Sequence, residues 1–444
     1  MEDSLIRSGI ERSNKVKNHI LISFFLKGLS VLLSFWLVPL TLSFLGKELY
    51  GVWIVMLSIM TWLALFDIGV GNGLRNKLAE SLAHKDIIEA KKNISTAYTL
   101  ISLIGIVLLM LSLIIIPFLN WNHVLNIKIL SNEKLVGTML IFFSTLIISF
   151  VLSLINPILS AFQLSSFTNL GNIITSFVFI SLLMVFRKFV LNNLFLITSL
   201  YCISLIFSNL CISAIFFSRN RHVFPSLKYL DRSQSKSILN LGGAFFIIQI
   251  AVLLIFTVDN FLILQLLGGD SVSIYNIVFK LFSIFTVGYT IIMTPLWSAF
   301  TEAYVKKDFK WIRKTISWLN LSIIPLIIGL TIFILFYQKI LDIWLPSSER
   351  ITPSFKFVIS LAIFVIITIW NSIYANFLNG ISATKLQTKT AIFGALINVP
   401  LALLFVKVFK MELPGVVLAM CISLLPFSLL GPIESYKHLP SHLK

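Results

Sequence analysis

The sequence predicts an all-α polytopic membrane protein, and its composition leads to that fold class. The chain has 444 residues, of which 57% are hydrophobic and 12% are charged, and its mean hydropathy is +0.96. A spanning helix needs about 20 apolar residues, so this hydrophobic content is enough for about twelve spans. Soluble domains carry roughly 25% charged residues. The composition therefore excludes an ordinary soluble enzyme, a disordered chain and a disulfide scaffold.

The predicted helices are long apolar runs separated by polar connectors that are too short for a soluble catalytic domain. The first run follows a polar, basic segment. It is too long for a signal-peptide core and has no small-residue cleavage site, so we expect it to be retained. The three cysteines lie inside the runs, and no disulfide framework is expected. The twelve runs are 19–44, 50–68, 94–118, 136–157, 168–186, 190–217, 238–266, 272–299, 316–337, 356–379, 389–409 and 413–433.

The distribution of basic residues predicts the orientation. With the N-terminus in the cytoplasm, the cytoplasmic segments carry 23 Lys and Arg residues and the outer segments carry ten, while Lys27 and Lys280 lie inside runs. Short cytoplasmic loops are enriched in Lys and Arg, so both termini are expected in the cytoplasm. Topology also explains the formal charge of +17, and no nucleic-acid partner is expected.

Two stretches of sequence recur half a chain length apart. Glu80–Ser95 resembles Glu302–Ser317, and Leu45-Gly46 resembles Leu267-Gly268, both at an offset of 222 residues. Six predicted helices separate the copies, so the two halves have the same orientation. We therefore predict two parallel-repeat six-helix lobes around a central cavity, an arrangement that transporters use. The predicted lobes are 1–222 and 223–444.

Two lysines lie deep within predicted spans, where an ionisable residue is a candidate for function. Lys27 is roughly 12 Å into the first run, and Lys280 is close to the middle of the eighth. Each shares a helical face with polar residues, which favours a cationic group in a water-filled cavity. The alternatives are that Lys27 extends to the membrane surface and that Lys280 forms a structural ion pair. The polar neighbours are Ser23, Ser30 and Ser34 for Lys27, and Asn276, Ser283, Thr290 and Thr294 for Lys280.

Asp259 lies in the seventh run at a depth similar to that of Lys280, because consecutive spans run in opposite directions. Two hypotheses follow. The two residues neutralise each other as a buried ion pair, or Asp259 titrates or changes its partner during transport.

Asp67 ends the second run, and three glycines follow it at alternate positions within 69–73. Such glycines bend or break a helix, and freed backbone groups at that depth need protein or a cavity around them. In the same stretch Arg75 presents a planar guanidinium to a phosphate or carboxylate, and Asn72 lies beside it. The alternative is a capped helix end at the cytoplasmic interface.

The chain predicts no metal site and no cofactor. Its six histidines lie at helix ends or in connectors, and it contains no HExxH, CxxC or Walker motif. Coupling to a proton or another cation is compatible with the sequence, but no residue pattern specifies the ion.

Two stretches carry a resemblance to a known family. They comprise Leu45-Gly46, Tyr50-Gly51-Val52-Trp53 and Leu65–Glu80, then Val258-Asp259-Asn260-Phe261, Leu267-Gly268, Tyr275 and Lys280. The first stretch closely resembles bacterial Wzx-type O-antigen and polysaccharide flippases of the multidrug/oligosaccharidyl-lipid/polysaccharide exporter superfamily. Its glycine-rich part is fairly specific, and the resemblance extends over the whole chain in length, helix number and two-lobe organisation.

The resemblance implies a MATE-like fold in the bacterial inner membrane, without enzymatic activity. The implied substrate is an oligosaccharide repeat unit on undecaprenyl pyrophosphate, which moves from the cytoplasmic to the periplasmic leaflet by alternating access. Implied partners are membrane lipid, a polysaccharide polymerase and a chain-length regulator. The substrate-binding candidates are Lys27, Arg75, Lys280 and Asn72, and the candidates for coupling or ion pairing are Asp67 and Asp259.

Two other classes of protein compete with this hypothesis. A drug or small-molecule exporter of the same superfamily should favour intramembrane carboxylates, whereas the two deepest ionisable residues on polar stripes are lysines here. An integral-membrane polysaccharide polymerase or glycosyltransferase should carry a large loop or an acidic catalytic motif, and the sequence shows neither.

Overall fold

The computed structural model describes residues 2–440 apart from 63–69, 163, 165, 187–191, 232–257, 306 and 382. All regular structure in that part of the chain is helical. The principal helices are α1 (Glu2–Trp62), α2 (Val70–Ala83), α3 (Ile87–Ile115), α4 (Trp121–Val124), α5 (Asn132–Leu152), α6 (Ile155–Ala161), α7 (Ser166–Phe186), α8 (Leu194–Arg219), α9 (Val258–Leu267), α10 (Gly269–Val305), α11 (Phe309–Leu321), α12 (Ile323–Trp344), α13 (Phe355–Gly380), α14 (Lys385–Leu403) and α15 (Glu412–Lys437).

The described helices confirm an all-α polytopic membrane protein. Ten stretches of the described chain are long and apolar enough to cross a bilayer. The first, Phe25–Met60, overlaps two of the predicted runs, so the ten stretches overlap eleven of the twelve runs. The remaining run, 238–266, lies mostly outside the described residues, and α9 covers its end. A count of twelve spans therefore remains a prediction.

Helix α1 changes direction at Gly46. A continuous helix of 61 residues would be roughly 90 Å long, about three times the thickness of the hydrocarbon core. Gly46 has φ 70° and ψ 169°, a conformation outside the helical region, and it divides α1 into two helices. Glycine adopts a positive φ without the steric penalty that a Cβ atom brings, so the predicted break between the first two spans lies at this residue.

Contacts between Cα atoms divide the chain into two compact units. Unit 1 comprises Met1–Leu49 and Ile59–Gln249, and unit 2 comprises Tyr50–Ser58 and Ile250–Lys444. The segment Tyr50–Ser58 thus has its contacts mainly with the second half of the chain. The lobe boundary predicted between residues 222 and 223 remains a prediction.

The core at one end of unit 1 is built around α2 and α3. One face of α2 buries Val70, Leu74 and Leu78, which recur every four residues, the spacing of one helical face. Residues of α3, α6 and α8 cover this face. The covering residues include Ala90, Ile94, Ala97, Ile101, Ile155, Ile158 and Phe216.

The repeated sequence forms the same turn in both units. Lys85 and Lys307, which occupy equivalent positions, have φ values of 57° and 59°. The next residues, Asp86 and Asp308, cap α3 and α11, because their side chains accept hydrogen bonds from the backbone N–H groups three residues later. A left-handed residue followed by an aspartate cap ends one helix and begins the next. The glycine pair repeats as well, since Gly268 has φ 86° where Gly46 has 70°.

Unit 2 has two places where helices approach so closely that only glycine fits. A Cβ atom on Gly51 would lie 1.9 Å from the carbonyl oxygen of Gly269, and one on Gly394 would lie 2.6 Å from the carbonyl oxygen of Ser423. Small residues let helices pack closely within a membrane, where water does not drive their association. The second of these contacts brings α14 and α15 together beside a group of buried polar side chains.

Candidate functional site

The most deeply buried charged side chain among the described residues is Asp259, in the first turn of α9. It is 2% exposed. Its Oδ1 atom accepts a hydrogen bond of 3.2 Å from Nδ2 of Asn398, which lies on α14 and is fully buried. Its Oδ2 atom is buried and accepts no hydrogen bond within the described part of the chain. Among the described residues this buried carboxyl group thus has one direct partner, which is an amide.

Helix α15 holds Asn398 in place. Ser423, which is 3% exposed, donates to Oδ1 of Asn398 over 3.5 Å and more closely, at 2.8 Å, to the carbonyl oxygen of Ala419. Because Gly394 lies one turn before Asn398, α14 can approach the α15 backbone at this level. The amide of Asn398 is therefore oriented with its nitrogen towards the carboxylate and its oxygen towards the hydroxyl group.

A second chain of polar contacts begins at the next residue of α9. Nδ2 of Asn276, on α10, donates to Oδ1 of Asn260 over 2.7 Å and to the backbone oxygen of Val272 over 2.9 Å. Nδ2 of Asn260 then donates to Oγ of Ser58 over 2.8 Å. Two adjacent side chains, Asp259 and Asn260, therefore join α9 to polar groups on three other segments of unit 2.

No ion pair between Asp259 and Lys280 is among the contacts of the described residues, and the hypothesis that the two residues neutralise each other stays a prediction. Helices α9 and α10 are antiparallel, and the contact between Asn260 and Asn276 fixes their register. Lys280 lies one turn beyond Asn276 on α10. It is half-buried, whereas Asp259 directs its carboxylate to Asn398. The roles of both residues in function remain predictions.

The remaining predicted residues belong to unit 1, where the structure describes the side chains of Lys27 and Arg75. Lys27 is exposed on α1, and Ser34 on the same face donates to the carbonyl oxygen of Val31. Arg75 is exposed on α2. Asp67 and the side chain of Asn72 lie outside the described residues. No contact described in unit 1 brings the predicted cationic groups together.

Two oppositely charged side chains on α2, close to Arg75 in the sequence, form an ion pair. Nζ of Lys77 lies 2.9 Å from Oε2 of Glu80, one helical turn away. The hydrogen bond and the charge of Lys77 hold the pKa of Glu80 below its usual value. Within the described residues, no group of three or more His, Cys, Asp and Glu side chains is arranged to hold a metal ion.

Sequence reasoning missed Asn398, Ser423 and Ser58. A search for ionisable residues in apolar runs finds Asp259 but passes over uncharged polar residues. Asn398 nevertheless has a recognisable signal, because asparagine is a poor helix former and it stands in the apolar segment Ala395–Leu401. A search for amides inside the runs would also have found Asn276, which was noted only as a neighbour of Lys280.

Solved structures with the same fold are transporters. The chain aligns with the inward-facing conformation of a multidrug resistance MATE family transporter of the MOP superfamily, with TM-score 0.76, 15% identity, and coverage of 93% of this chain and 94% of that one. A MOP superfamily transporter from Pyrococcus furiosus aligns with TM-score 0.64 and 16% identity, over 95% and 94% of the two chains. At these identities the comparison establishes a MATE-like fold.

Sequence comparison finds relatives of similar length. A "Putative O-antigen export protein" of Yersinia pseudotuberculosis is 24% identical over 382 residues, which cover 84% of this chain and 85% of the relative. A "Putative O-antigen transporter" of Salmonella typhimurium is 24% identical over 356 residues, or 78% and 79% of the two chains. The family described as MatE matches residues 244–404, and the family described as Polysaccharide biosynthesis protein matches residues 15–301. Because the second match spans more than half of the chain, the protein belongs to the polysaccharide biosynthesis protein family.

Proposed function

We propose that this protein is a flippase that moves an undecaprenyl-pyrophosphate-linked O-antigen repeat unit, or a related surface polysaccharide unit, across the membrane. The observation that carries the proposal is the family match over residues 15–301, together with relatives named for O-antigen export that cover more than three quarters of the chain. A MATE-like fold supports a transporter rather than an enzyme. The protein is a multi-pass membrane protein.

The direction of transport and the surroundings belong to the same proposal. The protein lies in the inner membrane with both termini in the cytoplasm, and the 23 to 10 ratio of basic residues supports that orientation. The repeat unit enters from the cytoplasmic leaflet and leaves into the periplasmic leaflet. A polysaccharide polymerase and a chain-length regulator act on the product and are the expected partners.

The chemistry of the substrate matches the predicted residues. A pyrophosphate head group is anionic, and Lys27, Lys280 and Arg75 supply positive charge. The predicted position of the lysines within spans makes their charge effective, because apolar surroundings strengthen electrostatic attraction. Asn72 adds a hydrogen-bonding side chain to the same set.

Asp259 is the proposed coupling residue of unit 2. Its Oδ2 atom is buried and has no hydrogen-bond donor in the described part of the chain. An isolated carboxylate is costly in such surroundings, so a proton or another cation that binds there favours the buried position of the carboxyl group. Release of that ion would favour any arrangement in which the carboxylate reaches water. Asp67 is retained as a second candidate for this role.

The test is the sidedness of the lipid-linked repeat unit in a deletion strain, measured with a labelling reagent that does not cross the bilayer. We expect unlabelled repeat units to accumulate on the cytoplasmic leaflet, and the intact gene to restore labelling from the periplasmic side. Normal periplasmic labelling without polymer would instead assign the protein a step after translocation, as expected for a polymerase. Normal polymer and a changed drug sensitivity would favour a drug exporter.

The same assay tests the pyrophosphate contact of Lys280. We expect Lys280→Ala to abolish periplasmic labelling and Lys280→Arg to retain part of it, because arginine keeps the charge. Lys339→Ala, in a predicted outer segment, is the matched control and should behave as the wild type. Normal labelling from Lys280→Ala at a normal membrane level would remove Lys280 from the site.

A further inference from the structure

Unit 1 contains a polar cavity that the substrate-binding candidates do not line. It has a volume of about 250 Å³ and lies among α5, α6, α7 and α8, with Met60 of α1 at its wall. Its apolar lining includes Leu146, Phe150 and Leu205. Seven of its described lining residues are polar, and they are Ser149, Ser153, Asn156, Asn172, Thr175, Ser208 and Asn209.

Several of these polar groups have no hydrogen-bond partner among the described residues. Ser149 is 5% exposed, and its Oγ atom makes no hydrogen bond within the described residues. The side-chain amides of Asn156, Asn172 and Asn209 likewise make no hydrogen bond to the described part of the chain. All four residues lie in candidate membrane spans. An unsatisfied amide is costly in hydrocarbon, so these groups must face water or a polar ligand.

The packing of α7 against α8 and the break between α5 and α6 leave the space that forms this cavity. The hydroxyl group of Ser208 donates to the backbone oxygen of Gly171 over 2.7 Å and links α8 to α7. A Cβ atom on Gly171 would lie 2.9 Å from the side chain of Ile212, so glycine sets the spacing of the two helices. On the opposite wall α5 ends at Leu152 and α6 begins at Ile155. Ser153 and Asn156 project from this break.

The lining defines the class of ligand. None of the described residues that line the cavity is charged, so a phosphate or an ammonium group would find no counter-ion among them. Amide and hydroxyl groups both donate and accept hydrogen bonds, as a sugar ring requires, and the apolar residues suit its C–H faces. The volume is below the ~300–1,000 Å³ of sites for drug-sized ligands, which fits a single sugar ring.

We propose that this cavity is a subsite for one neutral sugar of the repeat unit, separate from the cationic residues that bind the pyrophosphate. The proposal rests on the flippase function. The amides of Asn156, Asn172 and Asn209 bind the hydroxyl groups of that sugar, and Ser149 contributes a fourth polar contact. In the predicted orientation the cavity lies in the cytoplasmic half of unit 1, on the side from which the substrate starts.

The decisive variants are Asn209→Leu and Asn172→Leu, with Ser199→Leu as the matched control. Ser199 lies on α8 like Asn209, but it is exposed and bonds to its own helix at Phe195. Because the two amides make no hydrogen bond to the described protein, we expect both variants to keep the wild-type membrane level and unfolding temperature. Periplasmic labelling of the repeat unit should fall about tenfold for each, the factor expected when one buried hydrogen bond to a ligand is lost. Asn209→Ser should restore part of the activity, and Ser199→Leu should change nothing.

Binding provides a readout that is independent of transport. The purified wild-type protein in lipid nanodiscs should transfer NMR saturation to methyl glycosides of neutral hexoses, and Asn209→Leu should lose this signal. Wild-type labelling by both leucine variants, or a lowered unfolding temperature without loss of sugar binding, would overturn the subsite. If the deletion strain shows the same distribution of repeat units between the two leaflets as the wild type, the flippase function is disproved, independently of the results for the variants. In the remaining outcome, periplasmic labelling depends on the protein while no glycoside binds and both leucine variants label as the wild type does. That result would disprove the subsite and leave the flippase function standing.

Discussion

At the scale of the residue, the pair formed by Asp259 and Asn398 is the main finding in unit 2. A buried carboxylate needs hydrogen bonds to replace those it made with water, and Asn398 supplies one over 3.2 Å. The amide is itself oriented by Ser423. The carboxylate is thus held in place but not fully satisfied, which suits a group that exchanges an ion.

This arrangement predicts the effect of removing the amide. Asn398→Leu keeps the branched shape and the heavy-atom count of the side chain but removes the amide donor that the carboxylate has in the described structure, so we expect a loss of about 1–3 kcal/mol in the free energy of unfolding. Thermal unfolding of the purified protein in detergent measures the loss. Thr331→Val removes an exposed hydroxyl group that bonds to its own helix and should have no effect.

Adding Asp259→Asn to Asn398→Leu should cost less than the sum of the two single changes, since both remove the same contact. Strict additivity would contradict the pair.

The sequence predicted part of this site. An acidic residue inside an apolar run stands out in any sequence, and Asp259 was found in that way. Its partner was not, because the choice between Lys280 and Asn398 depends on the register of α9 against α10 and on α14, which joins the site from 139 positions away. Periodicity within one helix gives a face but not the helix that packs against it.

At the scale of the element, glycines determine how α1 is divided and packed. Gly46 has the positive φ that separates the two spans within α1, and Gly51 lets the second part contact the backbone of Gly269. Apolar runs in the sequence predicted the spans well. They did not predict the break between α5 and α6 or the one between α11 and α12, because hydropathy continues across both while the backbone turns.

The close approach at Gly51 predicts a specific sensitivity. Gly51→Ala would place a Cβ atom 1.9 Å from a carbonyl oxygen, so the helices must separate, and overpacking of this kind costs about 1–3 kcal/mol. Gly28→Ala, on the same helix, is the control because no atom lies within 4 Å of its added methyl group. We expect a lower unfolding temperature and a lower membrane level for Gly51→Ala alone. Equal behaviour of the two variants would contradict the contact.

At the scale of the whole molecule, the balance of basic residues predicts the topology. Ser347 lies in a predicted outer segment and Lys437 in the predicted cytoplasmic end, and both are exposed in the structure. In spheroplasts, Ser347→Cys should react with a maleimide that does not cross the membrane, whereas Lys437→Cys should react only after the membrane is permeabilised. The parent protein, whose cysteines lie in apolar runs, gives the background. Labelling of Lys437→Cys in sealed spheroplasts would place the C-terminal end outside the cell membrane and would contradict the predicted orientation.

The half-chain repeat was visible in the sequence because two short polar motifs recur at one offset. The apolar helices between them carry no such signal, since many apolar residues satisfy the same position in a lipid-facing helix. For the same reason the cavity of unit 1 was not predicted. Its serines and asparagines are scattered over four helices, α5 to α8, and only the packing of those helices brings them together.

The matching turns at Lys85 and Lys307 also bear on how such a chain arises. Their φ values differ by only two degrees, 57° and 59°, although the helices around them have diverged in sequence. This is the pattern expected of a gene that was duplicated and fused. Duplication in tandem keeps a membrane protein correctly inserted only when the ancestral half crosses the bilayer an even number of times. The six crossings predicted for each half meet that condition, so the prediction implies an ancestor of half this length that worked as a pair of identical subunits before fusion made each half free to specialise.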